Sequence, residues 1–331
     1  MMTGGRRQFV ALAAGTATGM TVTWPSIRLR HRVSYLKPRS RVAVLEATDY
    51  SWRLDQLLIE GIRLFNLDVR GRSVLLKPNL VEHVPGRPVN THSTLVGAAA
   101  TTFLKLGAKC VIVGEGPGHE RDTELVVGET GFERELNGRG IEFLDLNRDE
   151  LSEVELKAHY SGLDRLWLPR TILSSDFVVS MPKIKTHHWA GVTLSLKNMF
   201  GIVPGMKYGW PKNILHWHGI HESILDICAT VPIHFVIADG IQAMEGNGPL
   251  QGTERQMNKI VLADDPVAAD ATCCRLMGFA PDRIAHIAEG ARFLGNLAVD
   301  RITMLAEPAL TPAKPFAVLP DFRYLIQPTT Y

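Results

Sequence analysis

Short, unbroken apolar runs constrain this chain more than any other feature. They fall at residues 41–47, 73–77, 109–113, 143–146, 176–180, 233–238 and 259–263, as in Val74-Leu75-Leu76 and Phe177-Val178-Val179. A strand with one wet face alternates polar and apolar residues, whereas a strand covered on both faces does not. Between the runs lie stretches with helical spacing. Residues 51–65 place Leu54, Leu57, Leu58, Ile62 and Leu64 along one side, and residues 94–106 form a second such stretch, stopped by Gly107. Residues 221–230 and 267–277 read as further helices. The pattern predicts an α/β fold, a mainly parallel open sheet with helices on both faces. With 45% hydrophobic residues in 331, there is material for a single large α/β domain over residues 38–331.

Polar residues gather where the apolar runs stop. Lys77-Pro78-Asn79, the glycine-rich 114–118, and the segments 183–188, 239–249 and 264–270 each follow one. In open α/β sheets the ligand sits outside the carboxyl ends of the strands, so these five loops are expected to converge on one site.

The densest of them continues through residues 181–205 and carries Lys183, Lys185, Lys197, His187 and His188 among Thr, Ser and Asn. A helix opening near Gly191 would turn backbone N–H groups toward an anion. A lysine crowded by other cations has a lowered pKa and becomes a nucleophile or a base, and histidine titrates near neutrality without help. The plain alternative is a solvated Lys/His loop. Glu115 lies in a glycine-rich turn and is placed to act as a base or ligand. Pro117 removes a donor there and excludes a dinucleotide loop. Glu245 and Asn247 occupy a second such turn, and Lys77, Asn79 and Asn198 complete the ligand-holding candidates. For both glutamates the alternative is a turn carboxylate that caps nearby N–H groups.

His216, His218 and His221 offer metal-ligand density, and a divalent transition metal is the cofactor candidate they raise. His218 and His221 share a helical face, while His216 and His218 share one only in an extended segment. Neither conformation brings all three to one ion. Helix-capping or hydrogen-bonded core histidines are the alternative.

Composition narrows the function. A net charge of +2 with no basic stripe argues against nucleic acid as a partner, and the short basic run at 28–32 reads as solvated surface. Cys110, Cys228, Cys273 and Cys274 form no CxxC pair, so neither a structural zinc nor an iron–sulfur cluster is expected. Cys110 is expected to be a buried, inert thiol. Beyond the first two dozen residues no apolar run approaches the ~20 residues of a membrane span. Residues 308–331, rich in proline, are expected to be irregular.

Two resemblances follow from these residues. Leu75-Leu76-Lys77-Pro78-Asn79, Gly114-Glu115-Gly116, Pro182-Lys183-Ile184-Lys185-Thr186-His187, Leu196-Lys197-Asn198-Met199-Phe200-Gly201, and Asp239-Gly240 with Glu245-Gly246-Asn247-Gly248-Pro249 resemble the domain-of-unknown-function family numbered 362. Some members of that family are fused to ferredoxin-type modules; no such module is read in this sequence, so the iron–sulfur property is not carried over. The segment from His187-His188-Trp189-Ala190-Gly191 through Lys197 to Pro204-Gly205 resembles the central motif of the nickel-pincer lactate racemases. The resemblance implies that Lys197 corresponds to the lysine bearing the cofactor and His187 to the proton-transfer histidine. One of His216, His218 and His221 would correspond to a later metal histidine. Thr193-Leu194-Ser195-Leu196 stands where that family has a glycine-rich run, a departure at the place where backbone would approach the cofactor.

The function expected from all this is an enzyme acting on a small anion with a Lys/His site, metal-assisted or not. A non-catalytic periplasmic anion- or metal-binding or maturation protein is the competing class, and the oligomeric state is left open. Arg6-Arg7 before Phe9, then an apolar and small run to Trp24 and Pro25, resembles a twin-arginine export signal over residues 1–30. The chain is therefore expected outside the cytoplasm, carried there by the twin-arginine machinery. Replacing Arg6 and Arg7 together by Lys should leave the protein in the cytoplasmic fraction of its host. Normal export of that double variant, measured by cell fractionation, would refute the signal.

Overall fold

The computed structural model describes residues 38–118, 122–306 and 314–327. Residues 1–30, where an export signal is expected, and the 28–32 basic run lie outside them, as does much of the proline-rich tail. Within its described part that tail contributes one 3₁₀ turn, Pro320–Leu325.

Twelve strands are present among the described residues: β1 (Ser40–Glu46), β2 (Ser73–Pro78), β3 (Cys110–Glu115), β4 (Glu142–Asp145), β5 (Leu151–Glu155), β6 (Arg165–Pro169), β7 (Phe177–Met181), β8 (Lys183–His187), β9 (Gly191–Thr193), β10 (Phe235–Glu245), β11 (Thr253–Ala263) and β12 (Ile302–Ala306). Ten of them form one sheet, ordered β12-β1-β11-β10-β7-β2-β3-β4, with β8 added to β10 and β9 to β8. Strands β10, β7, β2, β3 and β4 are parallel. β11 runs against both β1 and β10. β5 and β6 form a separate antiparallel ribbon.

Period-two geometry divides the apolar runs between two cores. Val74, Leu76, Val111, Val113, Val179 and Ile237 face one side of the sheet, and Leu75, Val178, Val236 and Ala238 face the other. Helices Arg53–Arg63 and Ser93–Lys105 cover the first core. Helices Ile220–Thr230 and Pro266–Leu276 cover the second. The sheet is thus mainly parallel and clad on both faces, as the runs imply.

Several local expectations are corrected. Residues 183–187 form a buried strand, β8, rather than a polar loop. Gly191 opens the short strand β9, and the helix expected there begins only at Ser195 (Ser195–Asn198). Residues 239–245 continue β10 rather than leaving it, because Asp239, fully buried, is neutralised by Lys183 and Tyr50. The 264–270 segment lies at the other edge of the sheet, since β11 is antiparallel to β10. There Asp264 accepts from the Arg41 backbone N–H at the start of β1, and Asp265 caps helix Pro266–Leu276 through Val267 and Ala268 N–H. Cys110 is exposed rather than buried, while Cys228, Cys273 and Cys274 are buried free thiols.

The chain passes from β2 to β3 and β4 on one side, then returns to place β7 and β10 on the other. The order reverses between β2 and β7, where an open α/β sheet has its crevice. Leu75 sits at the centre of β2 and is fully buried. Leu75→Ala should lower stability by about 2–5 kcal/mol, read from the guanidinium unfolding midpoint. An unshifted midpoint would contradict this packing.

Candidate functional site

A pocket of about 170 Å³ opens over the carboxyl ends of β2, β3 and β8. Its wall contains Asn79, Glu115, Lys185, His187, His188, Trp189, Thr193, Lys197, Asn198, Phe200, Lys212 and His216. Four of the five expected polar segments therefore contribute to the pocket wall, and the fifth, 264–270, supports it only through Asp270. Pockets for drug-sized ligands run to about 300–1,000 Å³, so this one suits a molecule of few heavy atoms.

Beneath the wall, Lys77 ends β2 beside Glu115 at the end of β3. The two form a buried ion pair, 0% and 2% exposed. The Lys77 ammonium also donates to Pro78 O (2.9 Å) and Asn198 Oδ1 (3.2 Å). Burial pulls its pKa down and the Glu115 charge opposes that. A Cβ at Gly201 would collide with both members of the pair, which explains a glycine there.

Lys197 is held from two directions by its own short helix. At the N-terminal end, the Asp270 carboxylate accepts from Ser195 N–H (2.7 Å) and Leu196 N–H (3.0 Å). Burial pushes Asp270 up to about 8. At the other end, Asn198 Nδ2 donates to Lys77 O (3.0 Å) and Ser180 Oγ (3.1 Å). Between these anchors, the half-buried Lys197 side chain donates no hydrogen bond to a described residue, and its Nζ lies 4.2 Å from the Phe200 ring centroid. Burial, then the neighbouring Lys77, lowers its pKa to about 8.

Lys212 was not legible as a site residue. It is buried and donates to Gly116 O (3.1 Å), Phe200 O (3.2 Å) and Gly201 O (3.0 Å). Its backbone is left-handed, φ 67°, a strained state for a non-glycine residue that recurs at functional sites. Burial lowers its pKa to about 7. Three carbonyls match the three donors of an ammonium and exceed the two of a neutral amine, so this geometry favours the charged form. Lys185 differs. It donates to Val89 O (2.6 Å) and, at 3.5 Å, to Pro249 O, and burial followed by Lys183 and Lys197 holds it far below its usual range. Burial thus disfavours its charged form.

The histidines have distinct tautomers. His187 Nδ1 accepts from Trp189 N–H (3.1 Å) and Ala190 N–H (3.3 Å), so its proton resides on Nε2. Burial, then Lys197, keeps the ring neutral. His188 Nδ1 faces Gly248 O at 2.8 Å and His216 Nδ1 faces Lys212 O at 3.2 Å. Both carbonyls require Nδ1–H, which leaves a lone pair on each Nε2. His187 is thus a donor, and His188 and His216 are bases. Trp189 joins them, its ring 4.8 Å from His188 and 5.0 Å from His216.

The other candidates lie elsewhere. Lys183 is pinned to Asp239 (2.6 Å), Tyr50 Oη and Gln242 O. The β8–β10 register jumps between Lys183 and Lys185, which separates two lysines only two residues apart. Glu245 accepts from Ala317 N–H (3.0 Å), the capping role, and Asn247 bonds Gln251. His218 faces Ser161 O (2.9 Å), and His221 pairs with His286 (2.9 Å). Only His216 of the three metal candidates reaches the pocket.

A model of the family described as "Domain of unknown function (DUF362)" matches residues 74–275. The chain belongs to DUF362. The thylakoid-associated protein of Synechocystis sp. is 28% identical over 233 residues, 67% of this chain and 68% of that protein. Among solved structures, the lactate racemase apoprotein of Thermoanaerobacterium thermosaccharolyticum aligns with a TM-score of 0.48 at 12% identity, over 73% of this chain and 57% of that one. A Thermotoga maritima protein aligns with a TM-score of 0.36 at 15% identity, covering 61% and 53%. At these identities neither structure assigns an activity.

The racemase-like motif implies a metal-bearing cofactor, and this DUF362 chain does not fit it. No group of three His, Cys, Asp or Glu side chains able to hold a metal converges among the described residues. The N–H groups of Ser195 and Leu196 are taken by Asp270, and Leu194 and Leu196 are wholly buried in the core.

The Lys77–Glu115 pair can be tested directly. Lys77→Met should cost about 3–5 kcal/mol by leaving a buried carboxylate unpaired, and Lys77→Met with Glu115→Leu should recover most of that loss. Additive losses in a denaturant double-mutant cycle would show that the two groups do not depend on each other.

Proposed function

We propose that this protein is an enzyme that binds a small organic anion in the Lys/His pocket and moves a proton on it. The observation that carries this reading is the balance of charge at the wall. Lys197 and Lys212 face the pocket with only one carboxylate, Glu115, among the lining residues, and Glu115 is committed to Lys77. A buried positive site in a low-dielectric wall attracts an anion more strongly than the same charges in water. His188 and His216 supply basic nitrogens, and His187 supplies a fixed N–H donor. General acid–base work needs this combination within reach of one small molecule. The signal read over residues 1–30 would place the activity outside the cytoplasm.

Calorimetric titration with acetate and with its neutral isostere acetamide tests the charge requirement. Acetate should bind and acetamide should not, and Lys197→Met should weaken acetate at least tenfold while leaving the unfolding midpoint in place. The pH dependence has a definite sign. Lys197 carries its proton below about 8 and loses it above, so affinity is retained below that pH and falls as pH rises through it. The Lys197→Met variant should lack that leg. Equal binding of acetate and acetamide would defeat the anion reading. Anion binding without wash-out of substrate C–H protons in D₂O, followed by NMR over a panel of small carboxylates, would defeat the catalytic one.

A further inference from the structure

We propose that Lys197 forms an imine with the carbonyl carbon of a small oxo acid, an inference that rests on the anion-binding reading and names its substrate class. Its basis is the contrast between Lys197 and the lysines around it. Lys77 is fastened to Glu115, Lys183 to Asp239, Lys185 to Val89 O and Lys212 to three carbonyls. Lys197 alone lines the pocket without a hydrogen-bond partner among the described residues, against the Phe200 ring. An amine so placed has no hydrogen bond to a described residue to give up before it reacts, only its contact with the Phe200 ring. With its pKa held at about 8, roughly a tenth is the free amine at neutral pH, and a desolvated lysine near other cations is the recognised form of an imine-forming nucleophile.

The remaining wall fits the steps. The Lys197 nitrogen lone pair attacks the carbonyl carbon, a C–N bond forms, and the C=O π pair moves to oxygen. His188 or His216 takes the first proton released by nitrogen through its free Nε2 and delivers it to the oxygen, giving a carbinolamine. The second nitrogen proton passes through the same imidazole to the hydroxyl, and the C–O bond breaks. Water leaves, and the nitrogen pair closes the C=N bond. Amine plus carbonyl becomes imine plus water, with no oxidant or reductant consumed. The carboxylate of the oxo acid faces Lys212, whose ammonium three carbonyls hold in place.

Two unsatisfied atoms point the same way. Asn79 Oδ1 and Glu115 Oε2 are buried acceptors without a partner, and both residues line the pocket. An oxo acid brings no donor to them, but the carbinolamine brings an O–H. That O–H can donate to one of these two acceptors, a contact the substrate cannot make, and it favours the intermediate over mere binding of substrate.

The full chain is incubated with pyruvate or glyoxylate and sodium borohydride, which fixes an imine as a secondary amine. Intact mass should rise by the oxo acid plus two hydrogens less one water, and peptide mapping should place the adduct on Lys197. Lys197→Arg, which keeps the charge but cannot form the imine, should show no adduct even if Lys197→Met fails to fold. Acetone, a carbonyl without a carboxylate, should label far less. Calorimetric binding of pyruvate with no trapped adduct, or an adduct on another lysine, would overturn the imine and leave the anion site standing. Absence of both binding and adduct would overturn the two together.

Discussion

Lys77 and Glu115 end adjacent parallel strands, and the sheet brings their charged groups together where neither meets water. An ammonium buried in that position without its carboxylate would be destabilised by several kcal/mol, so the pair constrains everything built over it. The Lys77 ammonium also binds Asn198 Oδ1, and Asn198 in turn donates to the Lys77 carbonyl and to Ser180 on β7. One side-chain amide thereby ties the Lys197 helix to two neighbouring strands. Gly201 leaves the space that the pair needs. The strand ends, the short helix and the turn after it therefore have one shared solution.

Counting donors then separates lysines that look alike as residues. Lys212 has three carbonyl acceptors, one for each donor of an ammonium, whereas Lys185 has two, of which Pro249 O is distant at 3.5 Å. Lys77 cancels Glu115. What reaches the pocket is the charge of two lysines, Lys212 held by three carbonyls and Lys197 by none among the described residues. Burial sets both values, and the neighbouring charges only refine them.

How much of this was visible in the residues depends on whether a feature announces itself locally. The core strands do so, because a run such as Val74-Leu75-Leu76 has no other comfortable place than a doubly covered sheet. Lys197, His187, His188 and Glu115 lie in dense motifs at strand ends and were within reach. Lys212 was not, since Trp210-Pro211-Lys212-Asn213 offers no apolar strand before it and no second chemical group beside it. Asp239-Gly240 reads as a turn yet continues β10, because Lys183 and Tyr50 arrive from distant positions to neutralise the aspartate. The same long-range pairing removes Lys183 from the site that its sequence neighbours occupy. Asp264 and Asp265 follow an apolar run like the others, but the direction of β11 is a tertiary fact and puts them at the wrong edge.

The Thr193–Leu196 segment shows how a departure from a resemblance can have its own structural purpose. A glycine-rich run leaves backbone N–H groups open to a ligand. Here the same positions carry Leu194 and Leu196, both seated in the core, and Asp270 accepts the N–H groups of Ser195 and Leu196. The backbone donors that could have held a ligand instead hold the helix. In the function proposed here, recognition of an anion would fall to side-chain charge, and Lys197, carried by that rigid turn with no hydrogen bond to a described residue, would be the group left to react. Rigidity in the carrier and freedom at the amine are complementary requirements. A nucleophile must be positioned by its backbone without being occupied by its surroundings.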